Sequence, residues 1–165
     1  MRPIAAPDEL YAHAIAIERE AAERYGEFAQ RMADLGNEAA AEVFVTLARL
    51  EGEHLDALLL RTQGVTLPEF TPREFCWLDA GAPETAAREL VFRLLGPRQA
   101  LAIALQAERR AQAFFERVLM SAEDPALRAL AREMATEEQE HIAMVERLLE
   151  RTPDPGAERQ VLFGP

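Results

Sequence analysis

Apolar residues recur at intervals of three and four along four long stretches of the chain. This spacing places them on one face of an α-helix, so each stretch is predicted to form an amphipathic helix. Residues that favour helix ends agree with this division. Gly36 separates the first two stretches, Pro97 opens the third, and Pro125 closes the turn before the fourth. The predicted helices span residues 8–35, 37–63, 97–122 and 125–151.

A long connection separates the second and third predicted helices. Prolines and glycines interrupt the helical pattern over residues 64–84, and a short helix is expected over residues 84–95. An extended chain spans at most about 3.3 Å per residue, so this segment is long enough to cross the whole length of a bundle. No stretch alternates like a β-strand. The predicted fold class is all-α: one domain over residues 1–165, with a four-helix bundle, one long crossover connection between helices 2 and 3, and a tail over residues 152–165.

Composition and charge narrow the functional class. Hydrophobic residues make up 49% of the chain and charged residues 28%, as in globular proteins. The net charge of −11 argues against nucleic acid and anionic membranes as partners. No apolar run approaches the ~18 residues of a membrane span and no signal sequence is evident, so we expect a cytoplasmic protein. The one cysteine, Cys76, excludes an internal disulfide and a Cys-x-x-Cys metal motif.

Acidic residues occur within the apolar helix faces, although acidic side chains normally lie on the solvent-exposed face of a helix. One glutamate lies within the apolar face of the first helix and another within that of the third. The second and fourth helices each carry Ala-x-x-Glu-x-x-His, in which the glutamate and histidine share one helical face. The candidate metal ligands are Glu18, Glu51, His54, Glu108, Glu138 and His141.

Four carboxylates in a protein core require compensation, because an isolated buried charge is very unfavourable. Two divalent cations would balance four carboxylates if both imidazoles are neutral. One Glu-x-x-His motif arises easily by chance in an acidic chain, but this pattern repeats. The spacing is 33 residues from Glu18 to Glu51 and 30 from Glu108 to Glu138. Small residues beside the ligands leave room for ions and an oxygen species: Ala14, Ala22, Ala48, Ala111 and Ala135.

This arrangement resembles the rubrerythrin branch of the ferritin-like superfamily over about residues 8–150. The resemblance implies a ferritin-like bundle in which the six candidate ligands hold a di-iron centre, with Glu51 and Glu138 as the bridging pair. It also matches Tyr25 to a tyrosine near the metals, which makes Tyr25 the candidate catalytic residue. Two features depart from the family. Leu105 replaces a glutamate that exchanges with a histidine in rubrerythrins, and one cysteine cannot build their rubredoxin domain.

The resemblance implies an oxidoreductase. Carboxylates with two imidazoles suit two iron ions, with manganese or zinc as substitutes. We expect a di-iron enzyme that reacts with O₂ or H₂O₂, as a ferroxidase or a rubrerythrin-type peroxidase, in iron handling or oxidative-stress defence. An external electron donor such as a rubredoxin-like protein and a homodimer are also expected. Two alternatives stay open: a non-catalytic bundle that binds or stores metal, and an O₂-dependent di-iron hydroxylase of an organic substrate.

Other titratable residues lie near the ligands in sequence. His13 precedes Glu18 by five positions, about 140° round a helix, and is predicted to lie at the surface. Glu53, Glu137 and Glu140 fall off the apolar faces. The sequence leaves open whether they support the ligands or assist metal uptake.

Overall fold

The computed structural model describes residues 4–69 and 96–152. These residues form four helices and no strand: α1 Pro7–Asp34, α2 Glu38–Arg61, α3 Pro97–Ser121 and α4 Pro125–Arg151. The predicted all-α, ferritin-like bundle is therefore confirmed. None of the four helices is long and apolar enough to cross a membrane. The predicted short helix over residues 84–95, most of the crossover and the tail from residue 153 lie outside the described residues.

Local chemistry explains where the helices begin and end. α1 ends before Gly36, whose φ of 72° lies in the left-handed region that glycine tolerates best. At the start of α2, the Asn37 side chain accepts a hydrogen bond from the Ala40 N–H. At the start of α4, the Asp124 carboxylate accepts one from the Leu127 N–H at 2.8 Å. Both caps satisfy backbone donors that a helix start leaves free.

The helices pack as two antiparallel pairs, α1 with α2 and α3 with α4. Further contacts join α1 to α4 and α2 to α3. Two clusters of buried apolar side chains fill the interior. The first contains Leu10 from the start of α1 and Val118 from the end of α3. The second contains Met32 from the end of α1 and Ala100 from the start of α3, so α1 and α3 run in opposite directions.

The same clusters fix the path of the chain between the pairs. Leu58, near the end of α2, lies in the first cluster, whereas Ala100, near the start of α3, lies in the second. The connection from α2 to α3 must therefore join opposite ends of the bundle. This requirement agrees with the long crossover expected from the sequence.

His13 corrects the sequence interpretation. It was predicted to lie at the surface, but it is buried, with 5% of its area exposed. Its ring lies 5.6 Å from the ring of Phe114 on α3, centroid to centroid. Because α1 packs against α2 and also faces the second pair, its buried surface is wider than one apolar stripe. An angular offset from Glu18 was therefore not enough to expose His13.

Candidate metal centre

Every helix contributes one acidic side chain to the same place in the interior. Glu18 on α1, Glu51 on α2, Glu108 on α3 and Glu138 on α4 are each at most 5% exposed. Each glutamate occupies a position within an otherwise apolar, buried helix face. The packing of those faces carries the carboxylates inward together.

His141 on α4 makes the closest contacts with these carboxylates. Its Nδ1 lies 3.3 Å from Glu108 Oε2, 3.7 Å from Glu138 Oε2 and 4.0 Å from Glu51 Oε1. One ligand atom from each of Glu51, Glu108 and His141 lies within 4.8 Å of the other two. This buried group can hold a metal ion.

His54 occupies the outer side of the centre. It is half-buried, and its Nε2 lies 3.1 Å from His141 Nε2. Burial and the nearby His141 lower the pKa of His54. The sequence pattern treated the two histidines as equivalent, but the structure places His141 among the carboxylates and His54 behind it.

Glu18 and Tyr25 complete the α1 side of the centre. Glu18 shares a side-chain hydrogen bond with Glu51. Its Oε2 is buried and has no hydrogen-bond partner within residues 4–69 and 96–152. The Tyr25 hydroxyl donates a hydrogen bond to Glu108 Oε1 at 3.0 Å. Tyr25 is thus held beside the predicted ligands, and its catalytic role stays a prediction.

Burial controls the electrostatics of the centre. Desolvation raises the pKa of Glu18 to about 8, although its hydrogen bond with Glu51 partly opposes the shift. Desolvation, reinforced by the charge of Glu108, raises the pKa of Glu51 to about 10 and that of Glu138 well above the usual range. For His141, burial alone lowers the pKa, but the hydrogen bond with Glu108 and the charge of Glu51 raise it overall. Without a cation, these carboxyl groups therefore retain protons at neutral pH.

The buried carboxylates and imidazoles are donor types that bind divalent cations. Oxygen donors with two imidazoles suit iron or manganese, and bound cations remove the cost of burying ionised carboxylates. The unsatisfied oxygen of Glu18 is a donor that an ion would use. Glu51, Glu108 and His141 would hold one ion. The donors that would complete the centre are Glu18, His54 and Glu138.

A cavity of about 40 Å³ reaches the carboxylates between α1 and α3. Four buried polar side chains form its floor: Tyr25, Glu51, Glu108 and Glu138. Its remaining lining is Ile17, Ala21, Arg24, Ala107 and Ala111. The sequence pointed to Ala111 but missed Ala21 and Ala107. Their positions relative to the candidate ligands could have indicated both alanines, because Ala21 lies three residues after Glu18 and Ala107 directly precedes Glu108.

The remaining residues singled out by the sequence lie around the centre. Leu105 is partly buried against the second apolar cluster, so an apolar side chain stands where rubrerythrins have a glutamate. Glu53 and Glu140 are exposed, and both act electrostatically on His54. Glu137 is half-buried, and burial followed by the charge of Glu133 raises its pKa.

A solved structure shares this architecture. It is the crystal structure of COG1633 from Magnetospirillum magnetotacticum MS-1, described as an uncharacterized conserved protein. It is 32% identical to this chain, with a TM-score of 0.73, over 91% of this chain and 97% of that one. The chain belongs to the COG1633 family. The shared helical architecture agrees with the ferritin-like bundle predicted from the sequence, while the likeness to rubrerythrins stays a prediction. No protein-family model and no curated protein matches the chain.

Proposed function

We propose that this COG1633 protein is a di-iron oxidoreductase that reacts with O₂ or H₂O₂. The observation that carries the proposal is the convergence of buried carboxylates from all four helices on the imidazole of His141. Buried ionisable groups with strongly shifted pKa values, grouped beside a cavity, are typical of functional sites.

The chemistry of the donors favours iron over other metals. Four carboxylates and two imidazoles form a hard, anionic ligand set that stabilises the higher oxidation state of a redox-active ion. When bound, two Fe(II) ions would supply two electrons to one H₂O₂, which with two protons becomes two water molecules. Manganese and zinc are the expected substitutes, and zinc would give no redox activity.

The residues of the chain have separate roles in this proposal. Glu51, Glu108 and His141 anchor one ion, while Glu18, Glu138 and His54 complete the pair. Tyr25 orients the Glu108 carboxylate through its hydrogen bond and stands at the floor of the cavity. The apolar packing around the centre excludes bulk water.

The proposal extends to the partners of the reaction. One cysteine in the chain supplies no rubredoxin-type centre, so a peroxidase cycle would need electrons from a separate donor such as a rubredoxin-like protein. A ferroxidase cycle needs no such donor, because Fe(II) is then both substrate and reductant. Position 105 is leucine where rubrerythrins have the exchanging glutamate, which favours a ferroxidase over a peroxidase. The family resemblance also suggests a homodimer.

The test is anaerobic loading with Fe(II), followed by stopped-flow mixing with O₂ and separately with H₂O₂. We expect rapid formation of the near-ultraviolet absorbance of ferric iron at two ions per chain. Glu51→Ala should lose this signal, whereas the matched variant Glu53→Ala should keep it, because Glu53 is exposed on the same helix. The faster oxidant distinguishes ferroxidase from peroxidase.

Tight binding of two ions without reaction toward either oxidant would contradict the oxidoreductase proposal. The non-catalytic bundle that binds or stores metal would then be the better description. Oxidation only in the presence of an added organic compound, with that compound oxygenated, would instead support the hydroxylase.

A further inference from the structure

The cavity between α1 and α3 connects the outside of the bundle to the predicted ligands. Ala21, Arg24 and Ala107 are partly exposed, whereas the floor residues are at most 4% exposed. The partly exposed residues therefore form the mouth, and the buried residues form the inner end. Between them lie the walls of Ile17 and Ala111, both buried.

The volume of the cavity limits what can enter. It measures about 40 Å³. One water molecule needs roughly 10–15 Å³ on a comparable scale, and a cavity that accepts benzene measures about 150 Å³. A molecule of two or three heavy atoms therefore fits, whereas an aromatic ring does not. Three alanines keep the passage open, because any longer side chain at Ala21, Ala107 or Ala111 would project into it.

The polarity of the lining further limits which molecules can pass through the cavity. Alanine and isoleucine side chains form the walls, so a charged molecule would lose hydration without compensation on its way inward. Arg24 lies at the mouth and pairs with Glu20 at 2.8 Å, so the pair adds no net charge there. Half-buried His54 is not part of this lining and is near the exposed Glu53 and Glu140.

We infer that the cavity between α1 and α3 admits a small uncharged oxidant to the carboxylate centre, and that Ala21, Ala107 and Ala111 set its size limit. This inference rests on the proposed oxidoreductase function and specifies the substrate class of that site. It favours O₂ and H₂O₂ and disfavours an organic substrate that must reach the centre by this route.

The first experiment needs no turnover. Methyl chemical shifts are measured under xenon pressure in the metal-free and the Zn(II)-loaded protein, because xenon is an apolar probe that enters small apolar cavities. We expect xenon-dependent shifts at the methyl groups of Ala21, Ala107 and Ala111. Ala107→Leu should abolish them. The control Ala113→Leu should retain them, because Ala113 is a partly buried alanine on the same helix outside the cavity lining.

The second experiment measures oxidation of the Fe(II)-loaded protein by H₂O₂ and by cumene hydroperoxide. Ala107→Leu should slow the H₂O₂ reaction about tenfold, equivalent to ~1.4 kcal/mol of added barrier. Its circular dichroism and two-ion stoichiometry should match those of the unmodified chain. The bulky hydroperoxide should react slowly with the unmodified chain.

The two proposals fail in different ways. Xenon shifts at the three alanines, with no oxidation of the bound Fe(II), would contradict the oxidoreductase proposal and leave the cavity as a small apolar pocket. Absence of these shifts would overturn the inference whatever the activity. An H₂O₂ rate that is unchanged in Ala107→Leu would also overturn it, because the oxidant would then reach the centre elsewhere.

Discussion

The two helix pairs carry nearly the same sequence pattern but do not form equivalent halves of the centre. In the second pair, Glu108 accepts a hydrogen bond from Tyr25 and lies beside the buried His141. In the first pair, Glu18 has a buried oxygen that no described residue satisfies, and His54 is half-buried. A repeat in sequence therefore sets which residues face inward, while packing between the pairs decides how tightly each is held.

Within the proposed function, the difference between the two helix pairs affects how the two ions bind. The group that can hold an ion combines Glu108 and His141, two of the three candidate ligands of the second pair, with Glu51 of the first. We therefore expect two ions to bind with unequal affinity, the first at this group and the second where Glu18 and His54 complete the coordination. Unequal sites would allow one ion to remain resident while the other exchanges.

The largest effect on metal affinity is expected from Glu51→Ala. Glu51 belongs to the group that can hold an ion, and it also shares a hydrogen bond with Glu18. Because the resemblance makes Glu51 a bridging ligand, its loss should weaken binding of both ions by on the order of 100-fold or more, above the usual effect of residues that merely support ligands. Isothermal titration with Mn(II) measures it, with Glu53→Ala as the matched control. Retention of two tight ions in Glu51→Ala would remove Glu51 from the centre.

A comparison of His141→Ala with His54→Ala sharpens the asymmetry directly. His141 lies among three carboxylates, whereas the hydrogen-bond contact of His54 in the described chain is His141 itself. We expect the first ion to bind about tenfold more weakly in His141→Ala than in His54→Ala, within the range reported for changes around metal sites. Equal losses in the two variants would mean that the halves are equivalent after all.

The stability of the metal-free protein should depend on pH in a direction that the buried carboxyls determine. Their folded-state pKa values are raised from 4.5, to about 8 for Glu18 and to about 10 for Glu51. Protonated carboxyls favour the folded state, so stability is complete below pH 4.5 and is lost as pH rises toward 8 and then 10. The loss approaches roughly 1.4 kcal/mol per pH unit for each such group.

Urea unfolding at pH 5, 6.5 and 8 in the presence of a chelator measures this slope. Glu18→Gln should flatten it, because the amide stays neutral, whereas Glu42→Gln at an exposed position should not. Added metal should reverse the trend, since binding requires deprotonated carboxylates and releases protons. A metal-free protein that becomes more stable toward pH 8 would contradict the assigned burial.

The smallest effect is expected from Tyr25→Phe, which removes one hydrogen bond and keeps the ring against Phe44. The stability of the metal-free protein should fall by about 1 kcal/mol, the typical value for one buried hydrogen bond. Stoichiometry should stay at two ions, and Tyr11→Phe is the control. A complete loss of metal binding in Tyr25→Phe would give Tyr25 a larger role than orientation of Glu108.

Much of the fold could be predicted because its determinants are local. Gly36, Asn37, Pro97 and Asp124 with Pro125 mark the helix ends, and all four observed helices end within two residues of the predicted bounds. The burial of five of the six candidate ligands also followed from position on an apolar helix face, whereas His54 is only half-buried. Their role as ligands stays a prediction.

What the sequence did not predict depends on contacts between helices. The burial of His13 results from the approach of Phe114 on α3. The cavity is lined by Ala21 on α1 and Ala107 on α3, and no periodicity within one helix predicts that these two residues share a cavity. The inequality of His54 and His141 likewise arises from contacts between helices, since their local sequences are alike.

The concentration of packing contacts within each helix pair has a consequence for assembly. Short turns join the members of each pair, so both pairs can form early from contacts that are close in sequence. Docking of the pairs then brings the acidic groups of Glu18 and Glu51 against those of Glu108 and Glu138. This closing step requires protons or cations, so its equilibrium depends on both. We therefore expect the population of fully assembled chain to follow the supply of metal, which makes folding itself a sensor of that supply.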